Sequence, residues 1–227
     1  MHSRPRESWR HELALLSEEL HALDADIASA RAASVRRDRA TLSFKHEERE
    51  APKVHGEPIH LADGAQIVIR PIEPEDAGEL RRGLKRLSAL SAYKRFRAHV
   101  SDATPEQLDA ATRIDHDRHE AIAALDPRSG DVVGVVRYVC HPADPTEAEV
   151  TYVVADPWQG RGVGSALIDR LAARAHDAGV QRFIATSLAV DSHARRLLAR
   201  VADPIAERDE DGVIETTARL RPPPATS

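Results

Sequence analysis

Hydrophobic positions change period twice along the chain. From Trp9 through Leu13, Leu16, Leu20, Leu23 and Ile27 they step by four and three, which puts all six on one narrow helical face. Acidic residues crowd the start of this stretch, and Arg31, Arg36, Arg37 and Arg39 follow. That order complements the dipole of one long helix and predicts it over Ser8 to Arg39. The stripe is buried either on the rest of the chain or on a second copy, as a homodimer. Residues Phe44 to Leu61, with Pro52, Gly56 and Pro58, read as a linker.

From Gln66 onward β-branched runs alternate with helical stripes. The pattern predicts a strand at Ile67 to Pro71, a helix at Pro74 to Leu87, an irregular segment at Tyr93 to His99, and a helix at Pro105 to Arg113. Thr104 and Gln107 supply a capping box for the last of these. Strands at Ala121 to Leu125, Val132 to Cys140 and Glu147 to Val154 follow, joined by short turn-rich loops that imply an antiparallel meander. A helix at Val163 to Ala178 stopped by Gly179, a strand at Arg182 to Ser187, a helix at Ser192 to Val201 and a closing hairpin at Ile205 to Leu220 complete the pattern. The expected fold is α/β (α+β): a mixed, mostly antiparallel central sheet with helices on both faces. Its domains are 1–60 as helical extension and linker, 61–221 as the α/β domain, and 222–227 as a tail.

The chain has 227 residues, of which 41% are hydrophobic and only 4% aromatic, so the core is aliphatic. A net charge of −5 excludes bulk attraction to nucleic acid or to an anionic membrane. Cys140 is the single cysteine, which excludes an intramolecular disulfide and a cysteine-based zinc site and points to the cytoplasm. No apolar h-region or spanning run is present, so neither export nor a membrane is expected.

The chemistry concentrates at Asp156-Pro157-Trp158-Gln159-Gly160-Arg161-Gly162-Val163-Gly164-Ser165. A glycine-spaced loop opening a helix gathers unpaired amide N–H groups and the positive end of the helix dipole, which suits an anionic ligand. A Walker loop is excluded because no lysine follows the glycines, and Ser165 breaks a dinucleotide G-x-G-x-x-G pattern.

The loop Gln159-x-x-Gly162-x-Gly164, in its strand–loop–helix context, resembles that of the GNAT acetyltransferases. Ile69 to Ala77 is similar to that family's first strand and helix entry, and the resemblance spans about residues 65 to 220. Ser91 to Phe96 and Ile114 to Ala121 are similar to segments of bacterial protein-lysine acetyltransferases of the same superfamily. The resemblance implies acetyl-CoA as co-substrate, with its pyrophosphate on Gln159, Gly160, Arg161, Gly162, Val163, Gly164 and Ser165. It also implies that pantetheine lies along Val153 and Val154.

A lysine amine with a pKa near 10.4 must lose a proton before it attacks a thioester. Glu147 and Glu149 share one face of their strand. Glu149 stands where related protein acetyltransferases carry a glutamate, and it is the expected general base. Relatives carry an Asn at the start of the last helix and a tyrosine slightly later; here Asp191, Leu197, Leu198 and Val201 occupy that region, with Ser192 and His193 as polar alternatives. The run Asp115-His116-Asp117-Arg118-His119-Glu120 reads as a loop with surface histidines, and no metal is expected. The expected function is transfer of an acetyl group to a primary amine, a protein lysine before a small amine such as a polyamine or antibiotic. A non-catalytic acyl-CoA sensor is the third reading.

Overall fold

The structure, a computed structural model, describes residues 54–88, 91, 103–189 and 191–222. The predicted helix over Ser8 to Arg39 and the segment Tyr93 to His99 lie outside these residues. The described elements are β1 (Glu57–His60), β2 (Gln66–Pro71), α1 (Ala77–Arg86), α2 (Pro105–Thr112), β3 (His119–Leu125), β4 (Val132–Cys140) and β5 (Glu147–Val154), then α3 (Val163–Asp177), β6 (Arg182–Leu188), α4 (Ser192–Val201), β7 (Ala202–Glu210) and β8 (Val213–Leu220).

All eight strands form one sheet in the order β1-β2-β3-β4-β5-β6-β8-β7. Every pairing is antiparallel except that of β5 with β6, so the expected mixed, mostly antiparallel sheet is what the chain forms. Two expectations need correction. Glu57–His60, read as linker, is an edge strand paired with β2, and the first strand of the closing hairpin begins at Ala202 instead of Ile205.

Alternation along the strands feeds two cores. Val136, Tyr138, Ala148 and Val150 point to the face covered by α3, where they meet Val163, Leu167, Leu171 and Phe183. Ile72, Ala121, Ala123, Leu125 and Val135 form a smaller core on the opposite face, with Leu80 of α1 packed against it. Gly134 permits the close approach of α3 to β4, because a Cβ there would lie 3.0 Å from Leu167 Cδ1 and 3.2 Å from Val163 Cγ1. No helix among the described residues is long and apolar enough to cross a membrane.

Candidate functional site

The one parallel pairing is short. β5 and β6 match only at Glu147↔Arg182, Ala148↔Phe183 and Glu149↔Ile184, although both strands run on to Val154 and Leu188. Beyond Glu149 the two diverge, and β5 loses its neighbour on that side. The ladder shows where its unpaired groups point. Glu147 O accepts from His141 N–H at one end, and Ala155 N–H donates to Val133 O at the other, both toward β4. Alternation then turns the N–H and C=O of Val154 the opposite way, into the gap, while Val153 pairs by backbone with Val135.

The gap leads to the loop before α3. Gly160 and Gly162 have φ of +72° and +99°, and Gly162 is the N-cap of α3 with no side-chain cap. The first turn carries no acidic residue, so the amides of Val163, Gly164 and Ser165 meet no internal carboxylate. Positive φ at Gly162 turns the chain sharply into the helix, and a β-carbon there would strain the backbone. Arg161 is held sideways: its Nε donates to Asp63 Oδ2 at 2.5 Å and its guanidinium lies 4.3 Å from the Trp158 ring centroid. This bond keeps the exposed Asp63 carboxyl below its usual range.

Gln159, although exposed, ties the loop back to β5. Its Nε2 donates to Val154 O at 3.0 Å, to Ser91 Oγ at 3.1 Å and to Asp156 Oδ1 at 3.1 Å, and its backbone N–H donates to Asp156 O. Asp156 also accepts from Ser88 N–H at 2.8 Å and Ser91 Oγ at 2.6 Å, tying the segment after α1 to the loop after β5. Sequence reasoning read Asp156 only as a turn residue. The signal that reveals its role is spatial, because its partners lie 65 to 68 positions away.

The two glutamates of β5 separate clearly. Glu147 Oε1 accepts from Arg182 Nε at 2.7 Å, whereas Glu149 has no ion pair among the described residues and is exposed. Glu149 lies at the vertex where β5 and β6 part, in the wall of a cavity of about 330 Å3 with Ile184, Thr186 and Glu215. Glu215, on β8 opposite Thr186, brings a second carboxylate to this cavity that no local pattern marks.

α4 is capped by Asp191, which accepts from the N–H groups of His193 at 3.2 Å and Ala194 at 3.3 Å. Tyr152 lies on β5, and burial first, then the Asp191 charge, raises its pKa and keeps its hydroxyl protonated. The histidine run has structural partners. His116 Nδ1 lies 2.8 Å from Glu120 Oε1, and the buried Glu120 also accepts from Arg174 Nη1 at 2.7 Å. Among the described residues no group of three or more His, Cys, Asp or Glu gathers as a metal site.

The acetyltransferase (GNAT) family model matches residues 87–202. Acetyltransferase Pat of Mycolicibacterium smegmatis is 30% identical over 165 residues, 73% of this chain and 49% of that protein. Acetyltransferase PA5475 of Pseudomonas aeruginosa is 30% identical over 163 residues, 70% of this chain and 86% of that protein. The crystal structure of the GNAT domain of S. lividans PAT superimposes with a TM-score of 0.63 at 31% identity, covering 72% of this chain and 96% of that domain. The chain spans about half the length of the M. smegmatis relative. With the splayed β5–β6 pair and the glycine loop at the mouth of the gap, these likenesses lead to one conclusion: the chain belongs to the acetyltransferase (GNAT) family.

Proposed function

We propose that the protein transfers an acetyl group from acetyl-CoA to a primary amine, the side chain of a protein lysine, with Glu149 as general base. The observation that carries the reading is the vertex itself: Glu149 is the last β5 residue to pair with β6, and the main chain beyond it opens toward an uncapped helix N-terminus.

On this reading the pyrophosphate rests on the amides from Gly160 to Ser165 at the positive end of α3. Arg161 stands beside it, and Gln159 braces the loop from within. Pantetheine fills the missing strand position beside Val153 and Val154. The lysine ammonium enters the cavity holding Glu149 and Glu215, whose carboxylates favour a cation, and Glu149 takes its proton directly or through water. The amine attacks the thioester carbonyl, and the Val154 N–H stabilises the oxyanion. Collapse of the tetrahedral adduct expels the CoA thiolate. No tyrosine lies in α4, and the protonated hydroxyl of Tyr152 offers a neutral donor near the same gap. The single cysteine suits the cytoplasm.

The test is incubation of the full-length protein with acetyl-CoA and a cell lysate, followed by mass spectrometry of acetylated lysines against a Glu149→Gln control. Lysine acetylation that disappears in the variant supports the reading. Acetylation of free polyamine or aminoglycoside with none on proteins favours a small-amine enzyme instead. Tight CoA binding without acetylation of any amine favours a sensor.

A further inference from the structure

The two faces of the sheet are covered very differently. α3 buries Val163, Leu167, Ile168, Leu171, Ala172 and Ala175. α1 buries no residue and α2 only Thr112, even though Leu80, Leu84 and Leu108 lie over the sheet. A leucine stripe above a sheet ordinarily closes onto it at near-crystalline density. Here a cavity of about 340 Å3 remains between the two helices and β4–β5.

The wall of this cavity is aliphatic, with Val135 and Val153 on the sheet side facing the leucines. Two of its three polar side chains are engaged: Gln107 Oε1 accepts from Thr104 N–H, and Arg137 Nη2 donates to Ala111 O at 3.0 Å; Thr151 is the third. Among the described residues of the wall Arg137 is the one charged group and there is no carboxylate, so a cationic amine meets no counter-charge from them. The carboxylates Glu149 and Glu215 line the other cavity. The two cavities follow one another along the same face of β5, Glu149 lining the polar one and Thr151, Val153 and Ala155 the apolar one.

Val153 adjoins Val154, whose N–H faces the gap. We propose that the apolar cavity is an acyl-chain pocket and that the protein favours straight-chain acyl-CoA donors of about four to eight carbons over acetyl-CoA, a methylene taking roughly the 30 Å3 of a water molecule. The inference rests on the placement of CoA along β5 and the α3 loop. The chemistry is unchanged: the N–C(acyl) bond forms, the C–S bond breaks, the amine proton passes to Glu149, and CoA leaves as its thiolate.

The experiment measures calorimetric Kd values of acetyl-, butyryl- and hexanoyl-CoA for the full-length protein. It adds an equimolar acetyl-CoA/hexanoyl-CoA competition with a lysate, read by mass spectrometry of acyl-lysines. Each buried methylene is worth about fourfold in affinity, so butyryl-CoA, with two more, binds about 15-fold tighter than acetyl-CoA, and hexanoyl-lysine exceeds acetyl-lysine. Ala111→Phe fills the cavity from α2, removes that gain and leaves acetyl-CoA binding unchanged. Affinity that is flat or falling with chain length in the unmodified protein overturns the acyl pocket while leaving the CoA site standing. An Ala111→Phe effect confined to the acceptor's KM overturns it too, and assigns the cavity to an apolar side chain beside the lysine. Failure of every acyl-CoA to bind overturns both the pocket and the proposed CoA site.

Discussion

Removal of the Asp76 carboxylate is expected to destabilise the fold far more than an ordinary ion-pair deletion. Asp76 accepts both terminal nitrogens of Arg70 at 2.7 Å and the N–H of Glu73 at 2.8 Å, and the two side chains are only 5% and 9% exposed. Arg70 Nε is already buried without a partner, and without Asp76 the guanidinium keeps only the Pro71 carbonyl at 3.0 Å and the more exposed Glu73 carboxylate at 3.6 Å. Asp76→Ala leaves a buried charge stranded, which costs about 3–5 kcal/mol. At roughly 2–4 °C per kcal/mol for a domain of this size, the melting temperature falls by about 10 °C. Asp76→Asn keeps the Glu73 contact and one guanidinium bond and loses about half as much. Replacement of both partners, Arg70→Met with Asp76→Leu, removes the charges together and recovers most of the loss. Urea unfolding of the four proteins, with unchanged m-values as the check for two-state behaviour, measures these losses. A loss below about 1 kcal/mol in Asp76→Ala, or a double variant no more stable than the single one, refutes the claim that burial makes this pair costly to break.

Three further outcomes follow from the site and its supports. Gly162→Ala meets nothing closer than Leu61 at 3.9 Å, so its effect comes from φ of +99° alone; calorimetry should find acetyl-CoA bound about tenfold more weakly, for a strain of about 1–2 kcal/mol. Asp156→Ala releases Ser88, Ser91 and Gln159 together, and steady-state kinetics should show the KM for acetyl-CoA rising about tenfold with kcat changed less than about twofold. Burial lowers the pKa of His119 below its ordinary 6.5, and its Nε2 is buried without a partner. The unfolded chain therefore takes up the proton first, and stability falls as pH drops through 6.5 toward the folded value. Thermal melts at about pH 7.5 and about pH 5.5 should show a smaller acid loss in His119→Leu than in the unmodified protein.

The strands that carry the site were legible because each is rich in β-branched residues that it buries in the sheet. Val132–Cys140 stands out as a β-branched run buried on both faces along its first half, Glu147–Val154 alternates over its first four residues, and the Thr104/Gln107 box and Gly179 mark helix ends by local chemistry. Edge strands were harder. Glu57–His60 is mostly exposed and follows Gly56, so no hydrophobic alternation distinguishes it from linker. β7, with Asp203, Pro204, Glu207 and Arg208, is held by its backbone ladder to β8, and its exposed polar residues hide its true start. At the site, the loop residues Gln159 to Ser165 were visible as a motif, whereas the separation of Glu147 from Glu149 required Arg182 from a distant strand. Asp156, Tyr152 and Glu215 acquire meaning only from neighbours far along the chain. The aliphatic cavity under α1 and α2 has no sequence signature, because leucines over a void have the same spacing as leucines over a core.

The central claim is that Glu149, at the point where β5 and β6 part, removes the proton from the attacking amine. The most direct measurement is the pH dependence of kcat/KM for Glu149→Gln beside the unmodified protein, with the acetyl-CoA Kd measured on both. The account predicts an unchanged Kd and a kcat/KM about 100-fold lower at neutral pH, the loss shrinking at high pH as the amine deprotonates without help. A variant with full turnover at neutral pH, or one whose loss is entirely in acetyl-CoA binding, contradicts it.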